Sequence, residues 1–284
     1  MSILVNEKSR VIIQGITGNV GKSFAERMLN YNTPIVGGVT PGKGGSLVKQ
    51  LPVFNTVREA VEKTKADCSL VCVRPEFVKQ AVLEAIDNGI KLIVIYSEGV
   101  PIHDSMIIVN YARFKGVKLL GPNSAGIVSP GQCNLSDLHD SILKPGNIGV
   151  VSKSGTLTYE VIELLKQKNL GTSSIVCLGG DPIIGIQHSE VLEAFENDPE
   201  TNAIIYVGEI GGDDENNASE VIKSMIKPVY SLVAGLYAPE GKRMGHAGAI
   251  IEDSSETARE KQKMLKEAGA YELNLLDDLS DLQI

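Results

Sequence analysis

The stretch Val11-Ile-Ile-Gln-Gly15-Ile-Thr-Gly18-Asn-Val-Gly21-Lys-Ser23 decides the fold. Four residues of strand character run into three glycines, and an amphipathic segment opens at 23–29. Glycine lets a backbone turn tightly and approach a ligand, while a helix N-terminus leaves unpaired N–H groups and a partial positive charge. Strand, glycine turn and helix together make one βα unit of a parallel sheet. The same alternation repeats outward, with strands expected at 35–39, 69–73, 91–96 and 117–120 and helices over 75–88 and 103–114. This predicts a doubly wound, Rossmann-like domain over residues 1–121.

Residues 122–146 are rich in Gly, Pro, Asn and Ser, show little periodicity, and read as a connecting segment. A second series follows, with strands expected at 148–151, 174–178, 203–207 and 229–233. Helices are expected to about 168 and over 188–197, 216–225 and 255–268. It predicts a second α/β domain, again on a parallel sheet, over residues 147–284. Two domains also suit a length of 284 residues, at roughly 150 residues each.

Composition narrows the function. A net charge of −8 and a pI near 5.2 argue against a general nucleic-acid or anionic-membrane binder, though a local basic pocket stays open. No apolar run approaches the roughly 18 residues of a membrane span, and the start Met1-Ser-Ile-Leu-Val-Asn-Glu-Lys8 lacks a signal-peptide apolar region. Cys68 and Cys72 lie in a strand-like run with no histidine at ligand spacing, so the four cysteines read as buried thiols and no metal site is expected. A reducing, cytoplasmic location follows.

Three ligands compete for the first glycine turn. An NAD site calls for an acid at the end of the second strand, and Ile35-Val-Gly-Gly-Val-Thr40 has none. A Walker A loop needs four residues between its glycines, and Gly15 to Gly21-Lys22-Ser23 leaves five. The loop Pro41-Gly-Lys43-Gly-Gly45 instead carries a cation, which suits a nucleotide with an extra phosphate, coenzyme A or NADP. Lys43 reads equally as a solvated loop lysine.

Of the four histidines, His103, His139 and His188 read as structural or surface residues. His246 lies in Gly241-Lys-Arg-Met-Gly245-His246-Ala-Gly248, where small neighbours leave an imidazole accessible and Lys242 and Arg243 can steady phosphate charge. The residues alone leave it as either a catalytic group or a plain loop histidine. Glu209 ends a strand at the carboxyl edge of the second sheet, where it can hold a histidine nitrogen and fix the tautomer. The helix opening at Ser154-Gly155-Thr156 offers a second anion-receiving terminus. Pro122-Asn-Ser124-Ala-Gly126 has proline where a nucleophile elbow needs glycine, and no His-Glu-x-x-His occurs.

Val36-Gly-Gly-Val-Thr-Pro-Gly-Lys-Gly-Gly45, Leu51-Pro-Val-Phe-Asn-Thr-Val-Arg-Glu-Ala60, Ser154-Gly-Thr-Leu-Thr-Tyr-Glu160, Gly208-Glu-Ile-Gly-Gly212 and Gly241-Lys-Arg-Met-Gly-His-Ala-Gly-Ala-Ile-Ile251 resemble the alpha subunits of succinate–CoA ligases. The resemblance covers nearly the whole chain. It implies a CoA-binding Rossmann-like domain, a flavodoxin-like ligase domain, and an ATP-grasp beta subunit in an αβ or α2β2 assembly that holds ATP or GTP with Mg²⁺. By position His246 matches the phosphohistidine, Glu209 the acid that holds it, and Tyr159 the substrate side. The CoA-contacting positions are Thr17, Gly18, Asn19, Val20, Lys43, Tyr96, Ser97 and Glu98. Ser154, Gly155 and Thr156 would receive phosphate.

The chain also departs from the family. The usual Gly-Pro-Asn-Cys-Pro-Gly is Gly121-Pro-Asn-Ser-Ala-Gly126, and Ser-Arg-Ser-Gly is Ser152-Lys-Ser-Gly155. Ile183-Ile-Gly-Ile-Gln-His188 follows Gly179-Gly-Asp-Pro182, and a proline-rich turn has become Val73-Arg74-Pro75-Glu76. These changes at strand ends raise the expectation of a different small anionic or dicarboxylic acid. A non-catalytic CoA-binding module and an NADP-dependent oxidoreductase are the rival readings.

Overall fold

The computed structural model of the chain describes residues 3–274 together with 278 and 279. The expected outer limits of the two domains, at 1 and 284, lie outside the described residues.

The run at 11–14 becomes β1 (Val11–Gln14), buried along its whole length as a central parallel strand requires. The first sheet also contains β2 (Ile35–Val39), β3 (Leu47–Val48), β4 (Leu51–Phe54), β5 (Cys68–Val71), β6 (Leu92–Ile95) and β7 (Lys118–Leu120), in the order β3-β4-β2-β1-β5-β6-β7. All neighbours are parallel except β3, which closes a hairpin against β4. Its helices are α1 (Asn19–Asn30), α2 (Val57–Thr64), α3 (Pro75–Asp87) and α4 (Ile102–Lys115). Strand order reverses at β1, so a crevice opens beyond the carboxyl ends of β1 and β5. The glycine turn lies there. Helix α1 begins at Asn19 rather than at Ser23, because Gly21 belongs to its first turn. A Cβ on Gly21 would lie 2.4 Å from the Gly15 carbonyl oxygen, so only glycine lets the helix settle this close to the strand end.

The second sheet is built from β8 (Gly126–Ser129), β9 (Cys133–Ser136), β10 (Pro145–Ser152), β11 (Thr172–Cys177), β12 (Ala203–Glu209), β13 (Val229–Ala234) and β14 (Tyr271–Glu272). Their order is β14-β13-β12-β10-β11-β8-β9. The helices are α5 (Gly155–Gln167), α6 (His188–Asn197), α7 (Asp214–Ile222) and α8 (Ala258–Glu267). Residues 122–146 are thus not an irregular connection. They carry the β8–β9 hairpin, whose eight strand residues are all buried and whose β8 pairs antiparallel with β11. The sheet is therefore parallel only from β11 to β14. The single helix expected over 255–268 is divided: a 3-10 turn at Ser254–Glu256 precedes α8, and Thr257 caps the helix by accepting from the Glu260 N–H.

The hairpin joins the two sheets. Arg27 of α1 donates to the carbonyls of Asp137 (2.8 Å) and Ser136, the Asn134 N–H donates to Thr33 (3.0 Å), and the Gly131 N–H to the Tyr31 hydroxyl (2.8 Å). Phe24 and Met28 share one buried apolar cluster with Ile127, Leu135 and Val176. Among the described residues no helix is long and apolar enough to cross a membrane. Replacing Arg27 with Met should take the guanidinium donor from the Ser136 carbonyl and leave the Asp137 carbonyl with the Tyr159 hydroxyl, lowering unfolding stability by about 1–3 kcal/mol, read by denaturant titration.

Candidate active site

The second sheet switches direction at β10, between β11 and β12. Ser152 at the end of β10 is in register with Val207, and β12 continues for two more residues to Glu209. The Lys153 N–H then bonds the Val207 carbonyl (3.2 Å), which sets Lys153 beside the end of β12. Both side chains are nearly buried, at 6% and 8% exposure.

Glu209 is held through its backbone as well as its carboxylate. Its N–H donates to Glu215 Oε1 (3.1 Å), and its carbonyl accepts from Lys261 Nζ (3.1 Å). Glu215 and Lys261 form a fully buried ion pair at 2.6 Å, and Lys261 also donates to the Gly211 carbonyl (2.6 Å). Lys153 Nζ lies 2.8 Å from Asp214 Oδ2 and 3.7 Å from Glu209 Oε1. Beneath this group His188 Nδ1 meets the Tyr206 hydroxyl, and its Nε2 lies 3.8 Å from Asp214. Burial pushes His188 below its ordinary value, so that ring is neutral. Burial also opposes the charge on Lys153, but the carboxylates of Glu215, Asp214 and Glu209 outweigh it and raise its pKa.

His246 completes the arrangement. Glu209 Oε2 lies 2.6 Å from its Nδ1. An ionised carboxylate only accepts, so Nδ1 carries the proton and Nε2 keeps its lone pair. The hydrogen bond to Glu209 raises the pKa of the ring; burial and the Lys153 charge oppose that rise, and Glu98 adds to it. The histidine loop lies on the turn after β11, where a Cβ on Gly180 would come within 2.4 Å of His246 Cγ and Cδ2. The absence of a side chain at 180 is what seats the ring.

A cleft of about 580 Å³ opens between the carboxyl ends of the two sheets. It brings together Val20, Tyr96, Ser97, Glu98, Gly155, Thr156, Tyr159 and His246, drawn from the start of α1, the end of β6, the start of α5 and the histidine loop. Glu209 stands behind the histidine. The Ser154 hydroxyl is occupied in capping α5, where it accepts from the Leu157 N–H (3.2 Å). Thr17, Gly18 and Asn19 form the turn into α1; Gly18 caps it with no side-chain bond, leaving the first N–H groups open to an anion. Lys43 is exposed on a loop that Asn55 braces by accepting from the Gly42 and Gly44 N–H groups, both at 2.9 Å, and it does not line this cleft. Sequence reasoning missed the half-buried Asp214, the buried Glu215 and Lys261, and the cleft positions Asn123 and Asp137. No spacing in the sequence marks these charges, because their partners come from separate elements.

Comparison with known proteins agrees with this layout. The family model of the CoA binding domain matches residues 6–99, and that of the CoA-ligase domain matches 151–271. The chain is 52% identical over 270 residues to succinate–CoA ligase [ADP-forming] subunit alpha 2 of Archaeoglobus fulgidus, covering 95% of this chain and 94% of that protein. It is 47% identical over 274 residues to the malate–CoA ligase subunit alpha of Methylorubrum extorquens, covering 95% and 93%. Among solved structures, ATP citrate lyase from Methanothrix soehngenii, in complex with citrate and coenzyme A, superimposes with a TM-score of 0.90 at 24% identity. That match covers 98% of this chain and 49% of the lyase chain, and it shows the fold.

Because the folded ring binds its proton more tightly than the free side chain, the Glu209–His246 contact contributes stability fully below the ordinary histidine value of 6.5. That contribution is lost as pH rises through the raised folded value. Glu209→Gln should lower the His246 midpoint and flatten this part of the stability–pH curve, measured by NMR titration and by denaturation at several pH values. Gly180→Ala should displace the ring and uncouple it from Glu209, seen as the same fall in the midpoint.

Proposed function

This chain belongs to the alpha subunits of the succinate–CoA ligase family, and on that premise we propose that it joins succinate to coenzyme A at the expense of ATP or GTP. It does so together with an ATP-grasp beta subunit in an αβ or α2β2 cytoplasmic complex. The observation that carries this reading is the 2.6 Å contact between Glu209 and His246 Nδ1, on a ring that lines the cleft.

Each residue has a role in the sequence of transfers. With Nδ1–H held by Glu209, the Nε2 lone pair forms an N–P bond as the bond from phosphorus to the departing nucleoside diphosphate breaks. The carboxylate of the acid then takes the phosphoryl group, freeing Nε2 and giving an acyl phosphate, and the CoA thiol displaces phosphate from it. The N–H groups of Gly155 and Thr156, at the start of α5, receive phosphoryl oxygens in place of water. Neutralising those oxygens is most of what a protein supplies to phosphoryl transfer. The open first turn of α1, with Thr17, Gly18, Asn19 and Val20, fits the CoA phosphates, with Lys43 as a further cation. Tyr96, Ser97 and Glu98 fit the arm that leads to the thiol, and Tyr159 faces the acid. The family resemblance implies that Mg²⁺ sits with the nucleotide on the beta subunit, and no step here runs through it.

One observation favours a second acid. Arg74, Ser124 and Ala125, three of the departures from the family pattern, all line the cleft, as does the half-buried carboxyl of Asp137. Burial raises the pKa of that carboxyl, and it stands where a substrate hydroxyl could donate to it, as a hydroxy acid such as malate would require.

The reconstituted complex should form an acid-labile phosphate on His246 with ATP or GTP and make succinyl-CoA. His246→Asn should abolish the phosphate and lower thioester synthesis by at least about 10³-fold. A higher kcat/KM for malate than for succinate would transfer the assignment to the second acid. CoA binding without any phosphate on His246 would reduce the chain to a binding module, and binding of NADP but not CoA would remove it from ligase chemistry.

A further inference from the structure

Lys153 is almost wholly buried, carries a full positive charge, and does not line the cleft. Its Nζ is clamped 2.8 Å from Asp214 Oδ2 and rests 3.7 Å from Glu209 Oε1, an oxygen with no hydrogen-bond partner. The other carboxylate oxygen, Oε2, is the one on His246. We propose that Lys153 is a positioning residue for the histidine: clamped by Asp214, it draws Oε1 of Glu209 inward, aims Oε2 at Nδ1, and supplies a positive charge that opposes a second proton at Nε2. This rests on the phosphohistidine reading above but makes a separate claim.

The chemistry explains why such a group is needed. Nε2 attacks phosphorus only while its lone pair is free, and no proton leaves the ring in that step because the Nδ1 proton stays on the ring, donated to Glu209. A carboxylate beside an imidazole favours the doubly protonated ring, which has no lone pair to give. The charged groups that act on His246 are Glu209 from β12, Glu98 beyond β6, Asp181 beyond β11, and Lys153 from the turn between β10 and α5. Three are acids and Lys153 is the one that opposes them. Asp214 and Glu215, with Lys261 against Glu215, hold it in place from α7 and α8.

The test reads the ring directly, in uniformly ¹⁵N-labelled full-length chain, by NMR titration of His246 in wild type, Lys153→Met, Lys153→Arg and Asp214→Asn. The acid limb of His246 phosphorylation is followed in the complex with the beta subunit. Lys153→Met should raise the proton affinity of the ring by about tenfold, roughly one pH unit, and move the acid limb upward with it. Lys153→Arg, which keeps the charge, should stay near wild type. Asp214→Asn removes an acid and frees the ammonium toward Glu209, so it should shift the midpoint downward. A loosened fold would move both charge variants the same way, and only an electrostatic role moves them oppositely. If Lys153→Met does not fold, Lys153→Gln removes the charge while keeping a donor to Asp214, and the same rise is expected. An unchanged midpoint in the folded charge-removing variant, or parallel shifts in it and Asp214→Asn, overturns the proposal. Titration needs no turnover, so it stands or falls independently of whether His246 carries phosphate.

Discussion

A carboxylate that must orient an imidazole cannot itself be free to turn, and the second half of the molecule is organised around that requirement. Glu209 is the last residue of β12, and its N–H and carbonyl are bonded to the buried Glu215–Lys261 pair. An ion pair this deep gains little net stability, because desolvation offsets most of the attraction. What it does here is geometric. Glu215, Lys261 and Glu256 between them meet the Glu209 N–H, the Glu209 and Gly211 carbonyls and the Gly211 N–H, and the backbone so fixed presents the carboxylate to the histidine loop.

The two halves contribute different parts of one cleft. In each sheet the strand order reverses, at β1 in the first and at β10 in the second, and each reversal opens a crevice at the carboxyl ends. Helix N-termini accumulate at those ends, so α1 and α5 both direct unpaired N–H groups toward the same space. On the function proposed above, α1 would receive the phosphates of coenzyme A and α5 the phosphoryl group in transit.

Much of this was legible in the sequence. The βα alternation and both strand-to-helix glycine or serine turns follow from residue type and position at strand ends, whereas the pairing of Glu209 with His246 came from the family resemblance. Other features were hidden for physical reasons. The β8–β9 hairpin has four-residue strands with Ser and Asn at buried positions, so neither alternation nor a long apolar run marks it. The sequence of α2 did carry a start signal: Thr56 accepts from the Glu59 N–H and Glu59 accepts from the Asn55 N–H, yet the helix is only eight residues long. The charges around Lys153 could not be read because they come from β12, α7 and α8 and meet only in three dimensions. A lone lysine after a strand looks solvated until its partners are seen.

The seam between the halves carries a consequence for how the polypeptide can be divided. A hairpin that belongs by pairing to the second sheet is bonded by Arg27, Thr33 and Tyr31 to the first, and Phe24 and Met28 lie in the same oily layer as Ile127 and Leu135. Scission near residue 121 would strip both fragments of their mutual cover and leave each with a greasy flank. The two lobes are distinct in architecture but are not interchangeable modules, and a chimera that swaps one lobe inherits the other's seam.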